Sequence, residues 1–228
     1  MAFRNKAHLI QSEHPDILIV PECEHPDKLI RLGLNATSEL WYGTNKSKGL
    51  AVFSFGKYKL NLMDIHNESI KIVCPITVTS PDVDFTLLAV WAQQTTDYDY
   101  RHIGQIWRAV HYYENILLEN NVIIVGDFNS NVIWNKNHRL ASHSMTVKKL
   151  FDMQIHSAYH KHFLQMQGKE MHPTFYLYRH ENKPYHIDYC FASKYFMERL
   201  SQVEVGDYKY WKTYSDHSPL TVVFDILN

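Results

Sequence analysis

The chain runs to 228 residues, of which 45% are hydrophobic and 21% charged, enough for a substantial core under an ordinary solvated surface. Lysine and arginine total 23 and the acids 24, so a net charge of −1 excludes attachment to nucleic acid through a global positive field, though 15 histidines leave room for a local basic groove. Three cysteines, Cys23, Cys74 and Cys190, form no CxxC, which argues against a zinc ribbon or disulfide framework and for a reducing, cytoplasmic setting.

The opening MAFRNKAHLIQSEHPD lacks the apolar run of a signal peptide, and nowhere do apolar residues approach the ~20 of a membrane span. A soluble monomer with no membrane partner is expected. Ala2 to Glu13 reads as a helix, broken at His14-Pro15 because the residue before proline avoids helical backbone angles. ILIV (Ile17 to Val20) is a short β-branched strand running into Pro21-Glu22. ELWYG and GLAVFSF are expected to pair as a hairpin, and KYKLNLM, IKIVCPITVT and DFTLLAVWA follow at strand length. Ile103 to Leu118 spaces its apolar residues as a helix, and Val122 to Gly126 is again a strand. Thr146 to Met153 reads as a short helix, and MQIHSAYHKHF after it as strand or loop. TFYLY and HIDYCFA are strands, KYFMERL a helix and PLTVVFDI the closing strand. No repeat, low-complexity tract or linker divides residues 1–228, so a single domain is expected. Strands interrupted by helices, several continuously apolar, fit α/β sheets buried on both faces.

Polar residues stand where packing does not call for them. The first strand leads to Glu22, VIIVGDFNSN carries Asp127 and Asn129, HIDYCFA contains Asp188, and YSDHSPL sets Asp216-His217 before the last strand. Each alone is most simply a cap or turn residue, since Asp and Asn satisfy loose backbone N–H groups. Together, carboxylates at several strand ends imply a shared site at the edge of a sheet. Such acids repel unless something positive sits among them, and oxygen ligands suit a hard cation such as Mg²⁺.

The motifs PDILIVPECE, KGLAVFS, LLAVWA, IVGDFNSN, HIDYCFAS and YSDHSPL span Pro15 to Leu220. In this order the chain resembles the endonuclease/exonuclease/phosphatase superfamily of Mg²⁺-dependent phosphoesterases, DNase I-like nucleases among them. The PECEHPDKL and HPTFYLYRH segments resemble those of uncharacterised bacterial members. The resemblance implies a four-layer α/β sandwich, two packed mixed β-sheets flanked by helices. It implies Mg²⁺, or Mn²⁺ in its place, held by Glu22 with Asp216 assisting. Asp127 would activate the attacking water, and Asn129 would hold that water or a phosphate oxygen through its amide. His217 would donate to a non-bridging oxygen, with Asp188 fixing its tautomer. The expected partner is a phosphoester, nucleic acid first. A phosphatase of small or lipid phosphates and a non-catalytic binding member are the alternatives.

Two features depart from the family. Its first strand, ending in Trp-Asn, has no counterpart before MAFRNKA, so that strand is expected to be missing and an upstream segment of about ten residues to supply it. Trp91 stands where many nucleases of the family carry Tyr or His, and an indole donates a hydrogen bond but exchanges no proton near neutral pH. Its simplest role is as a packed aromatic. Among the remaining signals, His156, His160 and His162 have a spacing that could bind zinc, but HExxH is absent. His172 and His186 flank the expected cleft, where His186 could meet phosphate or be a surface histidine. Lys46, Lys48, Lys57, Lys59 and the Lys148-Lys149 pair are solvated faces by default and a backbone-following groove if they flank the cleft. Trp134 is either core or a base-stacking residue.

Overall fold

The computed structural model of the chain describes residues 2–70, 72–137 and 141–226. Its centre is a six-stranded sheet in the order β4 (Lys59–Leu62), β5 (Val73–Thr79), β6 (Phe85–Trp91), β7 (Val122–Asp127), β11 (Asp188–Ser193) and β8 (Ile155–Ser157). β6 and β7 run parallel and the other pairs antiparallel, so the sheet is mixed. A parallel pair needs a long crossover, which α2 (Ile103–Tyr112) and α3 (Glu114–Glu119) provide.

Side chains of β6 alternate between two cores, as a pleated strand requires. Leu88 and Val90 face Ile103, Ile106 and Val110 of α2, and α4 (His143–Asp152) adds Leu150 on that side. Leu87, Ala89 and Trp91 face a second layer of strands. Each fully buried aliphatic side chain contributes roughly 1.5–3 kcal/mol, which is why this strand is apolar almost without interruption.

That second layer is in two pieces. β1 (Ile17–Cys23), β2 (Ser38–Asn45) and β3 (Lys48–Ser54) form an antiparallel sheet in the order β1-β3-β2, while β12 (Leu200–Val205) pairs with β13 (Leu220–Phe224). β1 lies over β6 and β7, and β13 over β11. Among the described residues, β1 pairs only with β3 and β13 only with β12. On the outer side of β1 and β3, Phe3, Ala7, Leu29, Ala51 and Phe53 make a third cluster. Helices, sheet, split sheet and outer segment give the expected α/β sandwich of DNase I-like proteins.

Several elements differ from the sequence expectations, each for a tertiary reason. The opening helix is reduced to a 3-10 turn (Phe3–Asn5) and α1 (Ala7–Gln11), because the Phe3 N–H donates to Glu24 Oε2 at 2.8 Å and its ring is buried. The long helix from Ile103 breaks at Tyr113, whose buried hydroxyl accepts from the Asn67 N–H at 3.0 Å. α4 starts before Thr146 because Ser142 caps it, accepting from the Met145 N–H at 3.2 Å. MQIHSAYHKHF becomes β8 and then α5 (Ala158–Phe163), capped by Ser157. KYFMERL is helical only over α6 (Lys194–Met197), and Leu200 already opens β12. TFYLY yields β9 (Phe175–Tyr176), paired with β10 (Pro184–Tyr185), because Tyr178 and Arg179 take left-handed φ of 56° and 57°. The strand expected from Ile70 starts only at Val73, as β5, because Ile70 closes a 3-10 turn (Glu68–Ile70); Lys71 lies outside the described residues.

No described helix is long and apolar enough to cross a membrane. Cys23, Cys74 and Cys190 are buried free thiols.

Candidate active site

Gly126 explains why the strand before Asp127 ends in glycine. Its φ is +138°, and a Cβ there would lie 2.0 Å from the Val90 carbonyl oxygen of the neighbouring strand. That close approach sets Asp127 opposite Trp91 on one side and Asp188 on the other. Asp127 Oδ1 accepts from the Asn129 N–H at 2.8 Å, and Oδ2 from Asn129 Nδ2 at 2.9 Å. Asn129 takes a left-handed φ of 45°, which asparagine tolerates, and its Nδ2 also donates to the Ala92 carbonyl at 2.8 Å. Both protons of this amide are therefore committed. The amide oxygen, not the nitrogen, is left to meet a water, which revises the expected donation to a phosphate oxygen.

Asp188 opens β11, where the buried Thr174 hydroxyl accepts from its N–H at 3.0 Å and from that of Ile187 at 3.1 Å. Its Oδ2 accepts from His217 Nδ1 at 2.9 Å. The loop carrying His217 is zipped onto β9. Tyr176 N–H donates to the Asp216 carbonyl and Ser218 N–H to that of Thr174, each at 2.8 Å, and the Phe175 ring lies 4.7 Å from the imidazole. One ligand atom from each of Asp127, Asp188 and His217 lies within 4.8 Å of the others.

Burial first, and the Asp188 charge second, push Asp127 up to about 8. Burial pulls His217 down, but the Asp188 charge and hydrogen bond, with Asp127 and Asp216 behind them, outweigh it and raise His217 to about 9. The result is an acid displaced towards neutrality beside a histidine held in its charged form.

Glu22 and Asp216 lie at the margin of this triad, with Lys6 near both. Lys6 Nζ donates to Ser215 Oγ at 3.0 Å, and the charges of Asp216, Glu22 and Asp188 all act on it. Burial lowers the Lys6 ammonium below the ordinary lysine value against those three attractions. Glu22 has a left-handed φ of 61° beside an irregularity of β1, a strained conformation for a glutamate. Its carboxylate, half exposed, pairs with Lys48 Nζ at 2.6 Å. The same ammonium sits 5.5 Å over the Trp91 ring, and Trp91, 5% exposed, packs as an aromatic.

Behind the Asp127 loop lies a buried circuit that the sequence did not announce. Ser130 Oγ faces His143 Nδ1 at 3.2 Å, and His143 Nε2 faces Gln167 Oε1 at 3.0 Å. Gln167 Nε2 faces His160 Nδ1 at 3.2 Å, and His160 Nε2 faces Glu170 Oε1 at 3.0 Å. Asn131 Nδ2 closes the ring on Glu170 Oε2 at 3.2 Å, and also reaches the His186 carbonyl and the Tyr189 hydroxyl. With the Ser130 hydroxyl donating to Nδ1, a neutral His143 carries its proton on Nε2 and donates it to Gln167, while Ser157 Oγ also lies 2.7 Å from His160 Nδ1. Burial holds His143 down at about 4. Burial would raise Glu170, but bonds from His160, Gly168 and Asn131 bring it to about 2.

His160 thus serves this circuit, and His156 and His162 do not join it at a metal. Asp127, Asp188 and His217 form the one metal-sized group among the described residues. His186 is not a surface residue. It is buried, with Nδ1 donating to the His172 carbonyl at 2.8 Å. Trp134 packs tilted against Tyr185 at 5.0 Å, and Phe175 continues the row to His217. Lys46, Lys57 and Lys148 are engaged by Asp27, Asp82 and Asp152 on the surface.

The sequence profile of the Endonuclease/Exonuclease/phosphatase family matches residues 7–217. The chain belongs to this family. Its members' common chemistry is hydrolysis of a phosphoester. Solved structures repeat the fold. An AP endonuclease from Archaeoglobus fulgidus aligns over 98% of this chain and 96% of its own, with a TM-score of 0.70 and 20% identity. The 3′ phosphatase NExo from Neisseria, bound to product DNA hairpin, covers 98% and 96% with a TM-score of 0.68 and 16% identity. The endonuclease domain of TRAS1, a telomere-specific non-LTR retrotransposon, covers 95% and 88% with a TM-score of 0.63 and 13% identity. No curated protein sequence matches the chain.

Proposed function

We propose that this member of the endonuclease/exonuclease/phosphatase family is a divalent-cation-dependent phosphodiesterase acting on nucleic acid. The observation that carries the reading is the Asp127–Asp188–His217 cluster, completed by Asn129, at the ends of adjoining strands. Asp127 accepts the proton of the attacking water, and a base displaced towards neutrality suits that task. Asn129 holds Asp127 through its N–H and amide nitrogen and offers its amide oxygen to the same water. His217, protonated and oriented by Asp188, donates its free Nε2–H to a non-bridging oxygen, where charge develops.

Four carboxylates, Glu22, Asp127, Asp188 and Asp216, share this region, and Asp127 is raised first by burial and then by the charges of Asp188 and Glu22. That donor set, all oxygens but for His217, fits a hard cation. Glu22 and Asp216 would hold Mg²⁺ or Mn²⁺, which supplies neutralisation of the phosphoryl charge when bound. Support for nucleic acid comes from the aromatic row Trp134–Tyr185–Phe175 leading to His217, and from the similar fold of the Neisseria 3′ phosphatase NExo bound to product DNA hairpin.

The test is hydrolysis of bis(p-nitrophenyl) phosphate and plasmid DNA by the purified chain, with Asp127→Asn and EDTA as controls. Turnover lost in both controls supports the reading. Equal turnover in Asp127→Asn would overturn Asp127 as the base, and no turnover on any substrate with Mg²⁺ or Mn²⁺ would favour a binding protein. A second reading, release of a terminal phosphate from DNA, is favoured by the NExo neighbour, and a 3′-phosphorylated hairpin assayed for free phosphate distinguishes it.

A further inference from the structure

Lys6 has no role in the reading above, and its surroundings call for one. An ammonium carries three N–H donors. Here one goes to Ser215 Oγ at 3.0 Å, and among the described residues no acceptor takes the other two. No described carboxylate forms an ion pair with it, although Asp216, Glu22 and Asp188 surround it electrostatically. Anchoring the N-terminal segment does not explain this. Glu24 already does that, accepting from the Phe3 N–H and from Arg4 Nη1. Lys6 is half-buried, and a partly desolvated ammonium with a single neutral partner is ready to take an acceptor that carries negative charge.

We propose that Lys6 is a further catalytic residue, whose two spare N–H groups bind a non-bridging oxygen of the phosphoryl group under attack. This rests on the phosphodiesterase reading. The ligand chemistry is a tetrahedral oxyanion, which offers several acceptor oxygens and negative charge together. Lys6 lies beside Ser215-Asp216-His217, so its ammonium and the His217 imidazole bound the place where that anion sits. The sequence reading missed it because Lys6 falls in a stretch expected to be an amphipathic helix, where a lysine is an ordinary solvated residue.

The experiment uses Lys6→Met, which keeps the apolar stem, and Lys6→Arg, which keeps the charge. Inorganic phosphate is titrated calorimetrically into each protein in Mg²⁺, Mg²⁺ itself is titrated separately, and bis(p-nitrophenyl) phosphate turnover is measured. Phosphate affinity is expected to fall about tenfold or more in Lys6→Met and to return in part in Lys6→Arg. Turnover in Lys6→Met should fall roughly 10²-fold, the usual cost of one oxyanion donor. Mg²⁺ binding should be no weaker in Lys6→Met, since a cation beside the carboxylates has been removed. Should Lys6→Met not fold, Lys6→Gln carries the same expectation. Equal phosphate affinity in wild type and Lys6→Met, no phosphate binding by the wild type, or a parallel loss of Mg²⁺ binding would each overturn the proposal. A wild type that binds phosphate through Lys6 yet cleaves no phosphodiester would defeat the phosphodiesterase reading alone.

Discussion

The two sides of the site are built to different standards. Asp127 and Asp188 stand on the continuous six-stranded sheet, with Asn129 just past the end of β7, Gly126 packed against a backbone and the Ser130–Glu170 circuit behind them. Glu22 stands on the smaller, divided layer, at an irregular point of β1, and its partner is a half-exposed lysine. One side is fixed by burial, the other by a surface ion pair and a strained backbone. A base that must meet a water gains from a fixed position, whereas a carboxylate that must take up and release a cation gains from access. The comparison predicts that disturbance on the braced side costs turnover and fold together, and on the open side mainly cation affinity.

The largest expected effect is that of Asp127→Asn, which removes the base without changing shape. Turnover should fall by about 10²–10⁴-fold. A loss below tenfold on both substrates would leave the braced side without its assigned chemistry.

Next is Glu170→Gln. The substitution removes a charged acceptor and turns an N–H₂ towards Asn131 Nδ2, so donor meets donor inside the circuit. A buried charge-assisted bond of this kind is worth roughly 1.5–3 kcal/mol, read from the shift of a urea unfolding curve. Turnover should fall with it while KM holds, because Asn131 is two residues from Asn129. An unchanged unfolding midpoint would show that the circuit braces nothing.

His217 offers a check through pH. Its folded value of about 9 lies above the ordinary 6.5, so the stabilisation is fully present below pH 6.5 and is lost as pH rises through 9. Thermal stability of the cation-free protein should decline over that window, and turnover should decline on the same alkaline limb as the donor proton leaves. In Asp188→Asn both declines should move to lower pH. A pH-independent midpoint between 6.5 and 9 would mean that Asp188 does not hold the charge.

Much of this arrangement is written locally, and that part could be read. GDFN announces itself because glycine, a strand end and an acid are consecutive, and SDH because an acid and a histidine precede an apolar strand. The residues that escaped are those whose meaning is tertiary. His143, Gln167 and Glu170 come from a helix and a polar loop with no periodicity between them, and they meet only because β8 and α5 fold back beside β11. The HPTF segment held one usable signal, Thr174, a hydroxyl just before a strand with two backbone N–H groups to satisfy. β12 was hidden by LSQVEV following directly on a helix, with only Val203 fully buried. The division between β1 and β13 likewise depends on pairing, which no stretch of sequence states alone.

The smallest expected effect on stability falls on the open side, with Glu22→Gln. The Glu22–Lys48 pair is about half exposed at both ends, so its loss should change stability by less than about 1 kcal/mol. Relief of like charge around Asp216 and Asp188 offsets part even of that. The consequence should appear instead as weaker Mn²⁺ binding, measured by calorimetry, with turnover restored in part by excess Mn²⁺. Lys48→Met should do the opposite, freeing the carboxylate and tightening Mn²⁺ binding, at the cost of the cation–π contact with Trp91. If both substitutions instead lower the unfolding midpoint as far as Glu170→Gln does, the two sides are equally braced. Glu22 would then be a structural carboxylate, and the cation would have to be sought at Asp127, Asp188 and His217.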